Sequence, residues 1–216
     1  MAVGVLSPVE VRVLGSLVEK QITTPEYYPL SLNALTAACN QKSNRDPVVS
    51  YDEATVERGM DALREKKLAW VIKKADSRVL RYGHILPEAY RLEPAETAAL
   101  CVLMLRGPLT VGEIRACSGR LHEFHDLTEV DDALNKLASN DQGPLVFKLP
   151  RLAGHKEARY VHLLSGEVKI DEIEVAQAKS EHAAQTRADL EAEVAALRRD
   201  LDELRQEFNE FKRLLE

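Results

Sequence analysis

The sequence predicts a mostly helical α+β protein in which one domain occurs twice before a long C-terminal helix. Each copy opens with a Leu-x-Pro-x-Glu pattern, which begins at Leu6 in the first copy and at Leu92 in the second. Each copy closes with an Arg-Tyr-x-His pattern, which begins at Arg81 and at Arg159. The openings lie 86 residues apart and the closings 78 residues apart, so the order is kept while the loops differ. A shared start, order and end indicate two copies of one domain.

The amino-acid composition limits the classes of protein to which the chain can belong. The 216 residues are 45% hydrophobic and 30% charged, with a formal net charge of −6. A chain of this length has room for two small cores of about 80 residues each and one further element. The three cysteines lie far apart without a Cys-x-x-Cys pair, which predicts reduced thiols. There is no signal-like N-terminus and no apolar run of about 20 residues, so we expect a cytoplasmic protein with no membrane association.

The first copy, residues 5–87, has the signals of three helices and a β-hairpin. Ser7 caps the first helix, and Glu10 completes a capping box with it; this helix runs to about residue 20. Ser31 caps a second helix that ends near residue 40, and Ser50 or Asp52 caps a third. Strand-like segments follow at residues 69–73 and 79–86. This is the element order of a winged helix-turn-helix, whose third helix can enter a major groove of DNA.

The second copy, residues 90–166, repeats that order. Pro94 starts its first helix, Thr110 caps a second helix, and Thr128 or Glu129 starts a third. Strands are expected at residues 145–149 and 159–164. The inward apolar residues of the two third helices match: Val56, Met60 and Leu63 in the first copy, and Val130, Leu134 and Leu137 in the second.

The segment 170–216 is predicted to be one long coiled-coil helix, because residues 173–216 contain no Gly or Pro and follow a heptad pattern. The a and d positions are Leu190, Val194, Leu197, Leu201, Leu204, Phe208, Phe211 and Leu215. In a parallel dimer, three g-to-e pairs are attractive: Glu193 with Arg198, Asp200 with Arg205, and Glu207 with Lys212. We therefore expect a parallel homodimer. The alternative is a long helix that folds back on its own domains.

Residues 13–47 closely resemble the YceH family of bacterial proteins. The likeness rests on long strings, including Thr24-Pro25-Glu26-Tyr27-Tyr28-Pro29 and Asn40-Gln41-Lys42-Ser43-Asn44-Arg45-Asp46-Pro47. The string Leu121-His122-Glu123-Phe124 is similar to the second domain of that family, so the likeness extends from residue 6 to about residue 166. The resemblance implies two winged-helix domains in a bacterial cytosolic protein. It implies no activity, cofactor or catalytic residue.

The candidate nucleic-acid contacts lie in the first copy, whose net charge of +2 contrasts with −3 for residues 87–168 and −5 for residues 169–216. Phosphate contacts supply most non-specific affinity for DNA, which favours this copy. The candidates lie in the loop before the third helix, on that helix and in the hairpin: Lys42, Asn44, Arg45, Arg58, Lys73, Lys74 and Arg78. Turn formation and solvated charge are the alternative explanations for the loop and the hairpin.

The third helices argue against simple operator recognition. The first presents Glu53, Glu57 and Asp61 outward, and the second presents Glu129, Asp131 and Asp132. Acidic side chains repel phosphates, so a rival hypothesis is a protein-interaction module that uses these helices together with Tyr27 and Tyr28. The alternative for the two tyrosines is that they pack onto their own domain.

No catalytic or metal-binding pattern is found in the sequence. A Gly-rich phosphate loop, a nucleophile elbow and a recognisable triad are missing. His122 and His125 have no third His or Cys nearby, which is more typical of a surface loop than of a metal site. His84 and His162 are expected to pack or hydrogen-bond within their strands. We therefore expect a non-enzymatic, regulatory nucleic-acid-binding protein without a cofactor.

The coiled-coil hypothesis is tested by placing charge in the predicted seam. Replacing Leu197 and Leu204 with lysine is expected to abolish the dimer, because a buried unpaired charge is costly. Sedimentation of the full chain, of this variant and of a chain ending at Gly166 measures the effect. If the full chain and the shortened chain both sediment as monomers at micromolar concentration, the segment is not a dimerisation element.

Overall fold

The computed structural model describes residues 4–73, 79–151 and 157–166. These residues belong to one compact unit, Met1–Glu167, and combine helices with two small antiparallel sheets. The predicted coiled coil at 170–216, with its eight seam residues from Leu190 to Leu215, lies outside the described residues. So do Lys74 and Arg78 of the first hairpin.

The first half contains three α-helices and a two-stranded sheet, as predicted. They are α1 (Pro8–Thr23), α2 (Leu32–Cys39), α3 (Glu53–Glu65), β1 (Ala69–Lys73) and β2 (Leu80–His84). Ser7 and Glu10 form the expected capping box of α1, and Asp52, not Ser50, caps α3. A 3-10 helix, Pro25–Tyr27, follows α1. The second strand ends at His84 instead of continuing to residue 86, because the chain turns there into a short helix.

The second half repeats this order after that short helix, α4 (Leu86–Tyr90). Its elements are α5 (Pro94–Arg106), α6 (Val111–Ser118), α7 (Leu127–Ala138), β3 (Val146–Lys148) and β4 (Tyr160–His162). The prediction that Thr128 or Glu129 starts the third helix is wrong by one or two residues. Asp126 is the cap, since its carboxylate accepts a hydrogen bond of 2.9 Å from the backbone N–H of Glu129.

The two hairpins share the same register, which confirms that the Arg-Tyr-x-His patterns are equivalent. Ala69 pairs with His84 in the first sheet, and Val146 pairs with His162 in the second. In each half the tyrosine also bridges to a leucine just before the second helix; the pairs are Leu30–Tyr82 and Leu109–Tyr160. The preceding arginine donates to the proline carbonyl beside that leucine; the pairs are Arg81–Pro29 and Arg159–Pro108. The repeat seen in the sequence is therefore a repeat of backbone and side-chain contacts.

The two halves share one hydrophobic core instead of two separate ones. Residues 10–18, which lie in α1, are all buried, and so are residues 96–105, which lie in α5. Such helices are enclosed on all sides, since a surface helix leaves one face in water. Each is covered partly by its own half and partly by the other, because α1 packs directly against α5.

Gly15 allows the close approach of these two helices. A Cβ atom at this position would lie 2.9 Å from Cδ2 of Leu105 and 3.3 Å from Cβ of Met104. The Cys101 thiol also donates a hydrogen bond of 3.4 Å to the Gly15 carbonyl oxygen. The glycine therefore serves helix contact, at the usual cost in helix preference of about 1 kcal/mol.

The contact between α1 and α5 is reciprocal. Gly15 and Cys101 are 86 residues apart, as are Glu19 and Leu105, so each pair occupies equivalent positions in the repeat. Gly15 lies against Leu105, and Cys101 lies against the backbone of Glu19. Exchange of equivalent contacts is the mark of a two-fold axis. We infer that the halves are related by an approximate two-fold rotation about an axis near Gly15 and Cys101.

Adding a side chain at Gly15 should therefore destabilise the whole unit. Gly15→Val is expected to lower the free energy of unfolding by about 1–3 kcal/mol, the usual cost of overpacking a core. Gly112→Val is the matched control, because a Cβ at Gly112 in α6 meets no atom within 4 Å. Urea denaturation of both variants measures the difference, and equal stability of the two would contradict the close packing of α1 on α5.

Candidate nucleic-acid interface

Arg45, predicted to contact phosphate, is buried. Its side chain has 0% exposure, and its Nη2 atom lies 2.6 Å from a carboxylate oxygen of Glu19. The guanidinium also donates to the carbonyl of Ala38 at 2.9 Å and to the side chain of Gln41 at 3.1 Å. A group with its donors committed in this way does not meet a DNA backbone. The prediction for Arg45 is corrected: the residue holds the loop to α1 and α2.

The remainder of the loop at 40–47 joins the two halves. Asp46 donates its backbone N–H to the carbonyl of Leu105 at 2.9 Å. Arg106 donates to the side-chain oxygen of Asn44 at 2.9 Å, and Asn44 adopts the left-handed conformation with φ 56°. Lys42 differs from Asn44 and Arg45, the other two predicted contacts in this loop. It is exposed and forms no ion pair with another described residue.

Two further candidates lie on the surface of the first half. Arg58 is exposed on α3 and donates to the hydroxyl of Thr55 at 3.0 Å, a bond that water or phosphate can replace. Lys73 is exposed at the end of β1, where it pairs with Leu80. Lys73 directly precedes residues 74–78, which the sequence predicts to connect the two strands of the hairpin.

The exposed face of α3 is more acidic than basic. Glu53, Glu57, Asp61 and Glu65 are exposed there, against Arg58 and Arg64. Arg64 lies 2.9 Å from Asp61 and is partly neutralised by it. In the described part of this half, the exposed positive charges that remain available near α3 are therefore few, which limits the strength of any phosphate binding.

The two tyrosines of the loop after α1 have different environments. Tyr28 accepts a hydrogen bond of 2.8 Å from the backbone N–H of His84, and burial raises the pKa of Tyr28 to about 12. Tyr27 is 69% exposed. Only Tyr27 is thus placed to act as an aromatic anchor for a partner, and Tyr28 packs on its own hairpin.

The turn before α7 is held by one carboxylate. Glu129 lies 2.9 Å from Nε2 of His122, and its other oxygen accepts from the backbone N–H of His125 at 2.7 Å. The hydrogen bond from His122, followed by that from His125, lowers the pKa of Glu129. Across the described residues, no group of three or more His, Cys, Asp or Glu side chains is arranged to hold a metal ion.

His84 and His162 occupy equivalent positions at the ends of β2 and β4, where His84 is buried and His162 is partly exposed. His84 is 3% exposed; its Nδ1 atom accepts from the backbone N–H of Leu86 at 3.2 Å, which confirms the expected packing. Its Nε2 atom, like Nδ1 of His162, is buried without a hydrogen-bond partner among the described residues. Burial lowers the pKa of both imidazoles to about 4. Neither histidine is placed to titrate near neutral pH.

Comparison with known proteins assigns the family. The family model described as "Protein of unknown function, DUF480" matches residues 6–155. The chain belongs to the DUF480 family. It is 55% identical to a UPF0502 protein of Opitutus terrae over 194 residues, which cover 90% of this chain and 84% of that protein. It is 48% identical to a UPF0502 protein of Geotalea uraniireducens, with 96% of each chain covered. A Vibrio parahaemolyticus UPF0502 protein is 46% identical, over 93% of this chain and 94% of its own length.

Among the helices that the structure describes, none combines the length and the apolar character that crossing a bilayer requires.

We expect this DUF480 protein to lose stability in acid because of His84 and His162. Their folded pKa of about 4 lies below the ordinary value of 6.5, so protonation favours the unfolded chain. The contribution of these histidines to stability is complete above pH 6.5 and declines as the pH falls from 6.5 towards 4. For the buried His84 this loss reaches about 3 kcal/mol.

Urea denaturation between pH 7 and pH 4.5 tests this expectation. His84→Asn is expected to reduce the pH dependence, because the amide oxygen can replace Nδ1 as acceptor for the Leu86 N–H. His125→Asn is the control, because it makes the same substitution at an exposed histidine. An unchanged profile in the His84 variant would show that this imidazole does not titrate on unfolding.

Proposed function

We propose that each half is a winged helix and that the protein is a non-enzymatic, regulatory nucleic-acid-binding protein whose first half leads the binding. The proposal rests on the surfaces that stay exposed when the two halves pack together. The halves meet through α1 and α5 and through the loop at 40–47, whereas α3 packs on α1, α2 and β1 of its own half. The outer face of α3 and the first hairpin are therefore accessible, and these are the parts that contact DNA in winged helix-turn-helix proteins.

Three exposed cations support phosphate contact in the first half. Lys42 precedes α3, Arg58 lies on α3, and Lys73 enters the hairpin tip. Lys74 and Arg78, in the sequence of that tip, would add two more positive charges. Since these charges are few and α3 carries carboxylates, we expect weak binding with a modest salt dependence. A dimer formed through residues 170–216 would present the surface twice and raise the effective concentration of the second contact.

The second candidate function is binding of a protein partner by the same half. It is favoured by the carboxylates exposed on α3 and by the 69% exposure of Tyr27. Tyrosine contributes large contact area at interfaces, and the acidic helix suits a basic protein surface. The two functions make opposite demands on charge, which allows one experiment to separate them.

A salt titration of DNA binding tests the first function. Fluorescence anisotropy with a labelled duplex of mixed sequence is expected to show affinity that falls as salt rises. The double variant Lys73→Ala/Lys74→Ala should lower the slope of log affinity against log salt by up to about 1.8, because each lost phosphate contact removes about 0.9. Arg58→Ala should lower it further.

Lys136→Ala is the matched control, because it removes one exposed lysine from α7 in the second half. It is expected to leave both affinity and slope unchanged. The absence of binding at tens of micromolar protein in low salt, or equal effects of Lys136→Ala and the hairpin variant, would overturn the proposal. Replacement of Glu53 and Glu57 with glutamine is expected to tighten binding, because their carboxylates repel the DNA phosphates.

A further inference from the structure

A cleft of about 160 Å³ lies between the two halves. The end of α1, the loop at 41–44, the end of α5 and the turn after α6 enclose it. Six lining residues belong to the first half and six to the second. They are Glu19, Lys20, Thr23, Gln41, Ser43 and Asn44, and Val102, Leu105, Arg106, Cys117, Arg120 and Leu121.

The cleft lies on the approximate two-fold axis. Lys20 and Arg106 are 86 residues apart and therefore equivalent, as are Glu19 and Leu105, and all four line it. The caps of α2 and α6, Ser31 and Thr110, are 79 residues apart, and this spacing makes Gln41 and Arg120 a third equivalent pair. Equivalent residues meet around one cavity only where the axis passes through it.

The lining is positively charged although the chain as a whole is negative. Lys20, Arg106 and Arg120 contribute three cations, and Glu19 contributes the sole carboxylate. Both oxygens of Glu19 are already engaged by the buried Arg45, at 2.6 and 3.1 Å. The cleft therefore presents a surplus of positive charge to whatever occupies it.

The positions of two of these cations are explained by the helices that carry them, and the position of the third is not. Lys20 and Arg106 lie at the carbonyl ends of α1 and α5, where cations are favourable without any ligand. Arg120 follows α6 and makes no hydrogen bond or ion pair with a described residue. Arg120 is exposed, so water solvates its charge when no anion is bound. An anion in the cleft would gain an attractive interaction with this arginine and with the two cations at the helix ends.

The floor of the cleft is apolar. Val102 and Leu105 are 3% and 2% exposed, and Leu121 completes that side. A cavity of about 150 Å³ accommodates a molecule the size of benzene. The space therefore suits one ring or a short carbon chain, with a charged group directed to the cations.

We propose that this cleft binds a small organic anion, with a carboxylate or phosphate group held by Arg120, Lys20 and Arg106 and an apolar body on Val102 and Leu105. The site lies where both halves meet, so an occupant contacts both at once. This proposal goes beyond nucleic-acid binding and does not require it.

Cys117 provides a direct reporter of occupancy. Cys39 and Cys101 are 0% exposed, and burial raises the pKa of both thiols, that of Cys39 to about 11. Cys117 is the partly exposed cysteine and lines the cleft. In the native protein, alkylation by a thiol reagent should therefore modify Cys117 first, and an occupant should shield it.

The test is the rate of Cys117 alkylation in the full chain with benzoate or phenyl phosphate, at constant ionic strength maintained with sodium chloride. At least one of these anions, at about 10 mM, is expected to slow alkylation several-fold, as occupancy by a millimolar ligand requires. Benzamide, which has the same ring without the charge, should have little effect. Arg120→Ala should weaken protection about tenfold, the loss expected for one charge-assisted hydrogen bond.

Arg64→Ala is the control, because it removes an exposed arginine from α3, outside the cleft. It is expected to keep full protection. Failure of both anions to slow alkylation, or equal protection by benzamide, would overturn the proposal. Full protection in the Arg120 variant would also overturn it, since Arg120 is exposed and its replacement should leave the fold intact.

Discussion

The contact between α1 and α5 at Gly15 and Cys101 is the constraint on which the rest of the structure depends. The buried stretch of each helix is enclosed on all sides, and part of that enclosure comes from the other half. Because the glycine lacks a side chain, the helices come close enough for a thiol to reach a backbone carbonyl. By contrast, α3 and α7 pack against elements of their own halves.

The loop at 40–47 is a second consequence of that joint. Its arginine, Arg45, is tied to α1 through Glu19, and its backbone is tied to α5 through Asp46 and Leu105. An ion pair buried this far needs its remaining donors satisfied, which the carbonyl of Ala38 and the side chain of Gln41 accomplish. The loop therefore connects the two halves through Arg45 and Asp46, while most of its other residues are exposed to solvent.

Local signals were sufficient to predict the three main helices and the hairpin of each half, because each signal acts over a few residues; they did not predict α4 or the 3-10 helix after α1. The capping box of Ser7 and Glu10, the inward spacing of Val56, Met60 and Leu63, and the Arg-Tyr-x-His patterns all have the structure they predicted. The errors are of the same short range, such as the cap of α7 at Asp126. A prediction from periodicity places a cap only to within a residue or two.

The candidate site was predicted less well, because the environment of a side chain depends on residues distant in sequence. Nothing in residues 40–47 indicates that Arg45 would be buried against Glu19, 26 residues earlier, or that Asn44 would meet Arg106. The close approach of Gly15 to Leu105 is likewise invisible until the fold is known. The offset of 86 residues was the one available signal, because it makes Lys20 equivalent to Arg106 before any contact is seen.

The covalent fusion of two equivalent halves has a further effect on anything bound between them. Two separate copies of one chain must place identical residues on both sides of their axis, so a ligand there meets the same groups in either of two orientations. Here Lys20 is equivalent to Arg106 and Gln41 is equivalent to Arg120, so the two sides of the cleft carry different side chains. Because the two sides of the cleft differ, a ligand that binds between the halves has one preferred orientation.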